Sequence, residues 1–509
     1  MTVRVVTADQ AAARDAAAIG AGVPSMQLMR RAGLGAARVL LERADDPARR
    51  VAVVCCGPGN NGGDGWIVAA ALARAGCTVH VREAGDARTV DAATARGEAI
   101  PLVSLGEPAA PPDLVVDALL GTGARGALRG GVAELAAYVN DVGERGATVY
   151  ALDLPTGVDA TTGDVAEGAV RANVTVTFGT VKRGQLIARS ACGEIVAIDI
   201  GLGSHAELAD GAPVLVDERW VASRIPPLAA EAHKGIRRRV LIIGGDRGMA
   251  GAVALAARGA LRSGVGMVKL CVHEASLAPL QGAVPEATAV TWPSGPPDRA
   301  LAEWPHALLI GPGMGGGDEG RARVAGWLSA WSGPVVLDAD ALNAFAGDES
   351  ALGDLLDGRP AIVTPHPLEF ARLIGVDLDT VLDERFEIGA RLARALHAVV
   401  LLKGVPTVVT APDGTSVVSA RGTPALGTAG SGDILGGIAV TLLAQAGDPF
   451  SAAACAAFTH GRAGELANAG RPVRGVTLDD VVRSLGLAWS LVSPRGVDVL
   501  AQLPAVGEA

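Results

Sequence analysis

Apolar runs four to six residues long alternate with stretches of helical spacing over almost the whole chain. From Ala8 to Leu41 apolar residues recur at helical intervals, with Pro24-Ser25 as a start signal, and the segment is predicted helical throughout. An apolar strand, Val51 to Cys56, then runs into the glycine-dense loop GPGNNGGDGW, followed by a helix from Trp66 to about Ala75. Further strands are predicted at Thr78 to Val81, Leu114 to Asp117, Thr148 to Asp153, Asn173 to Phe178 and Ile195 to Ile200. Strands alternating with helices predict an α/β fold, a mostly parallel sheet covered on both faces.

The pattern restarts after Gly203. Leu202 to Ile225 is irregular and ends at Pro226-Pro227, ahead of the basic run HKGIRRR, which places a boundary near 217. Two domains follow, 1–217 and 218–509, as the length alone suggests. In the second, Val240 to Ile243 opens a glycine loop and an alanine-rich helix. Strands follow at Ala307 to Ile310, Pro334 to Leu337, Ala361 to Val363 and Val399 to Leu402. Residues 406–419 read as a hairpin turning at Asp413-Gly414, and the last long helix starts after Gly430.

Composition narrows the class. A net charge of -10 argues against non-specific binding of nucleic acid or a membrane surface, though not against a local phosphate pocket. No apolar run reaches the roughly 20 residues that span a bilayer, and no signal peptide is evident. The six cysteines form no CxxC pair or metal-ligand spacing, so they read as buried hydrophobes in a reducing, cytoplasmic setting.

Three polar clusters stand at predicted strand ends in the first domain: GPGNNGGDG, DALLGTGARG with Asp117, and LDLPTGVDATTG with Asp153. In open parallel sheets ligands bind outside the carboxyl ends of strands, so one shared site explains the three better than three separate turns. NNGGDG, GTG and DLPTG together resemble the NAD(P)H-hydrate epimerase family, a Rossmann-like three-layer fold, over about residues 8–215. The resemblance implies that Asn60, Asn61, Gly62, Gly63 and Asp64, with the loop Gly121, Thr122, Gly123, Ala124, Arg125, Gly126 and Ala127, hold the phosphates of the hydrate. It implies a potassium ion on Asn61, Asp117 and Thr156, where the family usually has serine at the last position. It also puts Asp153 against the ligand, with Lys182 as a recurring lysine, and a carboxylate there is the candidate proton-transfer group. Arg30 in LMRRAG stands where the family has an acid, which bears on an oligomer contact more than on chemistry.

The second domain carries LGTAGSGDILGGIA, residues 426–439. Gly430, Ser431 and Gly432 offer backbone amides at a helix N-terminus, an anion hole, and Asp433 stands beside them. This resembles the GxGD signature of ribokinase-like kinases, in which the aspartate takes the proton of the attacked hydroxyl. HKG, GGDRGMAGA, GPGMG, LDADALN, TPHPLEF and LLKG stand in the order found in ADP/ATP-dependent NAD(P)H-hydrate dehydratases, over about residues 220–495. The resemblance implies that Lys403, Gly404, Val405, Pro406, Thr407 and Gly432 bind the nucleotide. Ala252, Gly315, His366 and Asp433 would line the hydrate site. Asp338 and Asp340 are candidates either for metal and phosphates or for helix capping. Thr423, Ala425 and Leu368 depart from the usual motif.

The implied activity is repair of both NADHX and NADPHX by a homo-oligomer. The first half interconverts R and S hydrates, and Asp433 in the second activates the C6 hydroxyl of the S form for phosphorylation by ADP with Mg2+. Phosphate then leaves, giving NAD(P)H and AMP. The main rival is a vitamin or sugar kinase of the same fold, which would accumulate a phosphate ester. A non-catalytic dinucleotide sensor is opposed by the presence of Asp433 and Asp153. An NAD-dependent dehydrogenase is opposed by the lack of a GxGxxG fingerprint with its ribose-binding acid.

Overall fold

The computed structural model describes residues 2–228, 231–293 and 295–492, so the expected second domain beyond 492 lies outside the described residues. The chain divides into two compact units, residues 1–215 and 216–509.

The first unit is built on a parallel sheet of strands β1 (Val51–Cys56), β2 (Thr78–Glu83), β3 (Ser104–Leu105), β4 (Leu114–Ala118), β5 (Thr148–Leu152), β6 (Val174–Phe178) and β7 (Glu194–Ile198). Their order is β3-β2-β1-β4-β5-β6-β7. Successive side chains of a strand point to opposite faces, and β1 shows how one apolar run serves two cores. Ala52, Val54 and Cys56 pack with Leu40, Trp66 and Leu72, while Val53 and Cys55 pack with Leu135, Ala136 and Val139 of the opposite layer. All six cysteines are buried and free, and burial pushes their thiols up, which leaves them inert.

Three helical expectations change, one of them in the second unit, where helices Pro449–Asn468 and Leu478–Ser490 follow the one that starts after Gly430. The segment 8–41 is two helices, α1 (Ala8–Gly20) and α2 (Ser25–Glu42), because Gly22 takes φ +99° and Pro24 stands at the N-cap of α2. Helix α3 starts at Asn60, not Trp66, and runs to Arg74, so NNGGDG is its first turns rather than a loop. Glycine is a poor helix former, by about 1 kcal/mol against alanine, and here packing overrides that preference. A Cβ on Gly62 would stand 1.8 Å from the Gly57 carbonyl oxygen, one on Gly63 2.6 Å from Met29 Cε, and one on Gly65 2.5 Å from Ala118 Cβ. Strand β5 stops one residue early because Asp153 turns to φ 62°.

The second unit is a mixed sheet of β8 (Arg239–Ile243), β9 (Met267–Val272), β10 (Thr288–Thr291), β11 (Ala307–Ile310), β12 (Val335–Leu337), β13 (Ala361–Val363), β14 (Val399–Leu402), β15 (Thr407–Thr410) and β16 (Ser416–Ser419). Within this unit the order is β16-β15-β14-β13-β12-β11-β8-β9-β10, antiparallel only at β14-β15 and β15-β16. Strands β9 and β10 lie outside the sequence-based expectation. Among the described residues no helix is long and apolar enough to cross a membrane.

The close packing of α3 makes a sharp contrast testable. Gly62→Ala should destabilise the protein by about 2 kcal/mol, as overpacking does, despite alanine's helix preference. Gly97, on the exposed side of helix Val90–Ala99 with open space around it, should gain about 0.5–1 kcal/mol on the same change. Denaturant unfolding of the two variants checks both signs; equal effects would contradict the packing argument.

Candidate active sites

In the first unit the carboxyl ends of β1, β4 and β5 open into a cleft of about 900 Å³. Asn60, Asn61 and Asp64 reach it from α3, Gly121 to Arg125 from the loop after β4, and Asp153 from the end of β5. Gly62 and Gly63 are not among the lining residues; they form the packed face of α3. Gly126 and Ala127 continue the loop without lining the cleft.

Asp117 and Thr156 lie beneath, both fully buried. The Thr156 hydroxyl and amide donate to the Asp117 carboxylate at 2.7 Å each, and the Leu119 amide donates to it at 3.1 Å. Burial still pushes the Asp117 carboxyl up to about 6, against those hydrogen bonds. Leu120 ties the group together. Its amide donates to Thr156 Oγ1 at 3.1 Å, and its carbonyl accepts from Asn61 Nδ2 at 2.9 Å. Asn61 Oδ1 is left buried without a partner.

Asp153 is held differently. Lys182, itself buried, donates to one carboxylate oxygen and the Thr122 hydroxyl to the other. Burial alone would raise this carboxyl, but the Lys182 ammonium and Thr122 hold it below the usual range. Gln185 Nε2 donates to the Asp153 carbonyl at 2.6 Å, fixing the turned backbone. Lys182, whose role the sequence leaves open, is therefore the partner of the proton-transfer candidate.

In the second unit, helix α4 (Ser431–Ala446) begins after Gly430, which has φ +96°, and puts Asp433 in its first turn. A Cβ on Gly432 would lie 3.3 Å from Lys403 Nζ and 3.7 Å from Asp338 Oδ2, so three separated motifs meet here. Lys403 Nζ is 2.8 Å from buried Asp338 and 3.6 Å from Glu369. Burial works against its charge, yet Asp338, Glu369 and Asp433 hold the ammonium above the usual lysine value. Asp433 is pushed up to about 7 by burial and by Asp338, with Lys403 opposing.

Neither Asp338 nor Asp340 caps the following helix: Asp338 pairs with Lys403, and Asp340 Oδ2 accepts from the Gly315 amide at 3.0 Å. His366 is the N-cap of helix Pro367–Ile374, its Nδ1 accepting from the Leu368 and Glu369 amides at 3.1 and 3.3 Å. Burial keeps its pKa below the ordinary value, which favours the neutral ring, and its Nε2 stands 3.5 Å from Glu369 Oε1. The Lys403 amide donates to the Pro365 carbonyl at 2.9 Å, joining the two motifs. Ala252 packs beneath the GPGMG turn, within reach of a Cβ on Gly313. In the loop from Lys403 to Thr407, Pro406 is buried, Val405 is exposed, and the Thr407 hydroxyl donates to the Gly404 carbonyl at 3.1 Å. The sequence reading missed Arg385, whose buried guanidinium donates to the Val405 carbonyl and lies about 3.3 Å from a Cβ on Gly404. The departing Leu368 is exposed, and the Thr423 hydroxyl is buried without a partner.

Residues 240–486 match the family described as NAD(P)H-hydrate dehydratase, and 25–184 the YjeF-related protein N-terminus. The bifunctional NAD(P)H-hydrate repair enzyme Nnr of Moorella thermoacetica is 36% identical, over 90% of this chain and 91% of its own. That of Escherichia coli is 33% identical, over 94% and 91%. The chain belongs to the family of bifunctional NAD(P)H-hydrate repair enzymes. The ADP/ATP-dependent NAD(P)H-hydrate dehydratase of Bacillus subtilis, co-crystallised with ATP/Mg2+, superposes with a TM-score of 0.50 at 29% identity, covering 56% of this chain and all of its own. The first unit is thus the epimerase half of a repair enzyme and the second the ribokinase-like dehydratase half.

In the epimerase half, Lys182→Met should cost about 3 kcal/mol of stability, because it strands a buried carboxylate. The folded Asp153 pKa is depressed, so the pair stabilises above the unfolded value near 4 and its contribution is lost as pH falls below it. The gap between wild type and Lys182→Met, measured by denaturant unfolding, should be large at pH 7 and close in acid. A gap independent of pH would contradict the ion-pair assignment.

Proposed function

We propose that this chain restores hydrated NADH and NADPH, residues 1–217 interconverting the R and S hydrates and 218–509 dehydrating the S form with ADP. The observation that carries the reading is Asp433, poised near neutrality in the first turn of α4 beside Gly432, Lys403 and Asp338. A general base works best with a pKa near the working pH.

In the dehydratase half, Asp433 takes the proton of the C6 hydroxyl as its oxygen attacks the terminal phosphorus of ADP. The P–O bond to AMP breaks, and AMP departs. The ring nitrogen lone pair then expels phosphate from C6, and loss of a C5 proton restores the C5–C6 double bond. The amides at the start of α4 favour the transferring phosphoryl group, and Lys403 supplies a cation to it. The donor set suits a divalent ion: Asp338, Asp340 and Glu369 all raise Asp433, so the site is rich in negative charge. Mg2+ bound with the nucleotide would neutralise phosphate charge there. A vitamin or sugar kinase of the same fold would release a stable phosphate ester, whereas an ester on C6 beside the ring nitrogen lone pair breaks down.

In the epimerase half the candidate cation donors are all oxygens, from Asn61, Asp117 and Thr156. The unpartnered Asn61 Oδ1 and the fully buried Asp117 carboxylate fit a monovalent ion such as K+. Such an ion would supply a fixed positive charge below the cleft. Free, buried cysteines suit the reducing cytoplasm.

Asp433→Asn should lower the rate of S-hydrate dehydration by about 10²–10⁴-fold, read as recovery of reduced-nicotinamide absorbance with ADP and Mg2+. The wild-type rate should fall as pH drops below about 7, because the base must be ionised. Retained activity in Asp433→Asn would contradict the assignment, and accumulation of a phosphorylated product would favour the kinase. Separately, potassium chloride should raise the unfolding temperature above that in choline chloride of equal ionic strength, and Asn61→Ala should remove the difference.

A further inference from the structure

Exchanging the hydroxyl between the two faces of C6 requires a proton to be given on one face and taken on the other, and so far only Asp153 has a proton-transfer role. Asp64 lines the same cleft from the second turn of α3, approaching it from the strand end of β1 while Asp153 approaches from β5, with β4 between. It is 8% exposed, and its Oδ1 is buried with no hydrogen-bond partner. The charged groups facing it are Asp15 of α1, Asp153 after β5, and Lys182, while α2 presents Met29 and the small Gly33. An ammonium has three protons, and those of Lys182 go to Asp153, the Thr177 hydroxyl and the Thr180 carbonyl. None remains for Asp64. Burial, then Asp153 and Asp15, push the Asp64 carboxyl well above its usual range, whereas Asp153 is held below it. Two carboxyls of one cleft are thereby biased in opposite directions, Asp64 toward its protonated form and Asp153 toward its ionised form.

We propose that Asp64 is the proton donor that completes an acid–base pair with Asp153 in the epimerase cleft, a role that rests on the reading of the first unit given above. The ring nitrogen lone pair forms an iminium as the C6–O bond breaks, and the hydroxyl leaves as water carrying the Asp64 proton. A second water adds to the other face of C6 and gives a proton to Asp153. The product is the opposite epimer, and one proton has moved from Asp64 to Asp153. Solvent returns it before the next turnover, and the reverse reaction starts from the opposite protonation state.

The test follows purified R hydrate with the full-length protein in potassium buffer without nucleotide, so that only interconversion is seen, by chromatography. Asp64→Asn, nearly isosteric with the neutral acid, should slow interconversion by about 10²–10⁴-fold. Dehydration of S hydrate by the same variant with ADP should stay within about twofold of wild type, since Asp64 belongs to the first unit and the proposed dehydratase residues to the second. The wild-type rate should decline at alkaline pH as Asp64 ionises, and early turnover in 18O-water should place one solvent oxygen on C6 per inversion. With wild type active, an Asp64→Asn rate within about threefold, no alkaline decline, or retention of the original oxygen each overturns the proposal and leaves the epimerase reading standing. If wild type itself fails to interconvert the hydrates, the epimerase reading falls and the proposal with it. The wild-type pH profile and isotope result need no variant to fold.

Discussion

A parallel sheet covered on both faces leaves little room for charged side chains along its central strands, so what it offers a ligand stands mainly at the strand ends. Each unit meets that constraint with a lysine–aspartate pair sunk at the carboxyl edge of its sheet: Lys182 with Asp153, and Lys403 with Asp338. A buried ion pair is weak evidence of stability, because its desolvation offsets its attraction. What it does is hold charge in a chosen place. In the first unit the lysine's protons are all directed at one carboxylate and two threonine oxygens, which leaves none for the neighbouring Asp64 carboxyl. In the second, Lys403 is shared among Asp338, Glu369 and Asp433, so its charge only partly offsets the rise in Asp433. The same device thus yields an ionised base in one site and a base poised near neutrality in the other.

The α/β class and most strands were legible from apolar runs, because a strand buried on both faces, such as VAVVCC or ALLI, has little else in it. The polar clusters after β1, β4 and β5 were also legible, since NNGGDG, GTG and DLPTG interrupt those runs abruptly. Less legible was anything decided by contact across the fold. Glycines at 62, 63 and 65 argue locally for a loop, and only Gly57, Met29 and Ala118 pressing against them explain a helix. Strands Met267–Val272 and Thr288–Thr291 mix lysine and threonine with apolar residues and gave no clear run. The pairing of Lys182 with Asp153 spans 29 residues and that of Lys403 with Asp338 spans 65, beyond any periodicity argument. Arg385 lay outside every motif, and its hold on the Val405 carbonyl is visible only in three dimensions.

Joining the two halves in one chain follows from stereochemistry. A dehydratase whose base stands on one side of the nicotinamide ring can take the hydroxyl of only one epimer. The other accumulates unless something inverts it. Inversion needs groups able to exchange protons at C6, and the first unit's cleft has two carboxyls from different elements, Asp64 shifted up and Asp153 shifted down. In the proposed dehydration ADP is the phosphoryl donor, the start of α4 supplies the anion hole and the base Asp433, and Lys403 supplies a cation.

Two complementary activities in one chain can be followed together as reduced-nicotinamide absorbance of mixed R and S hydrates with ADP, Mg2+ and K+. Full recovery from both epimers is expected, and none when ADP is left out. Recovery that stops when the S form is exhausted would show the first unit to be inert, and no recovery with ADP or ATP would contradict the repair function altogether.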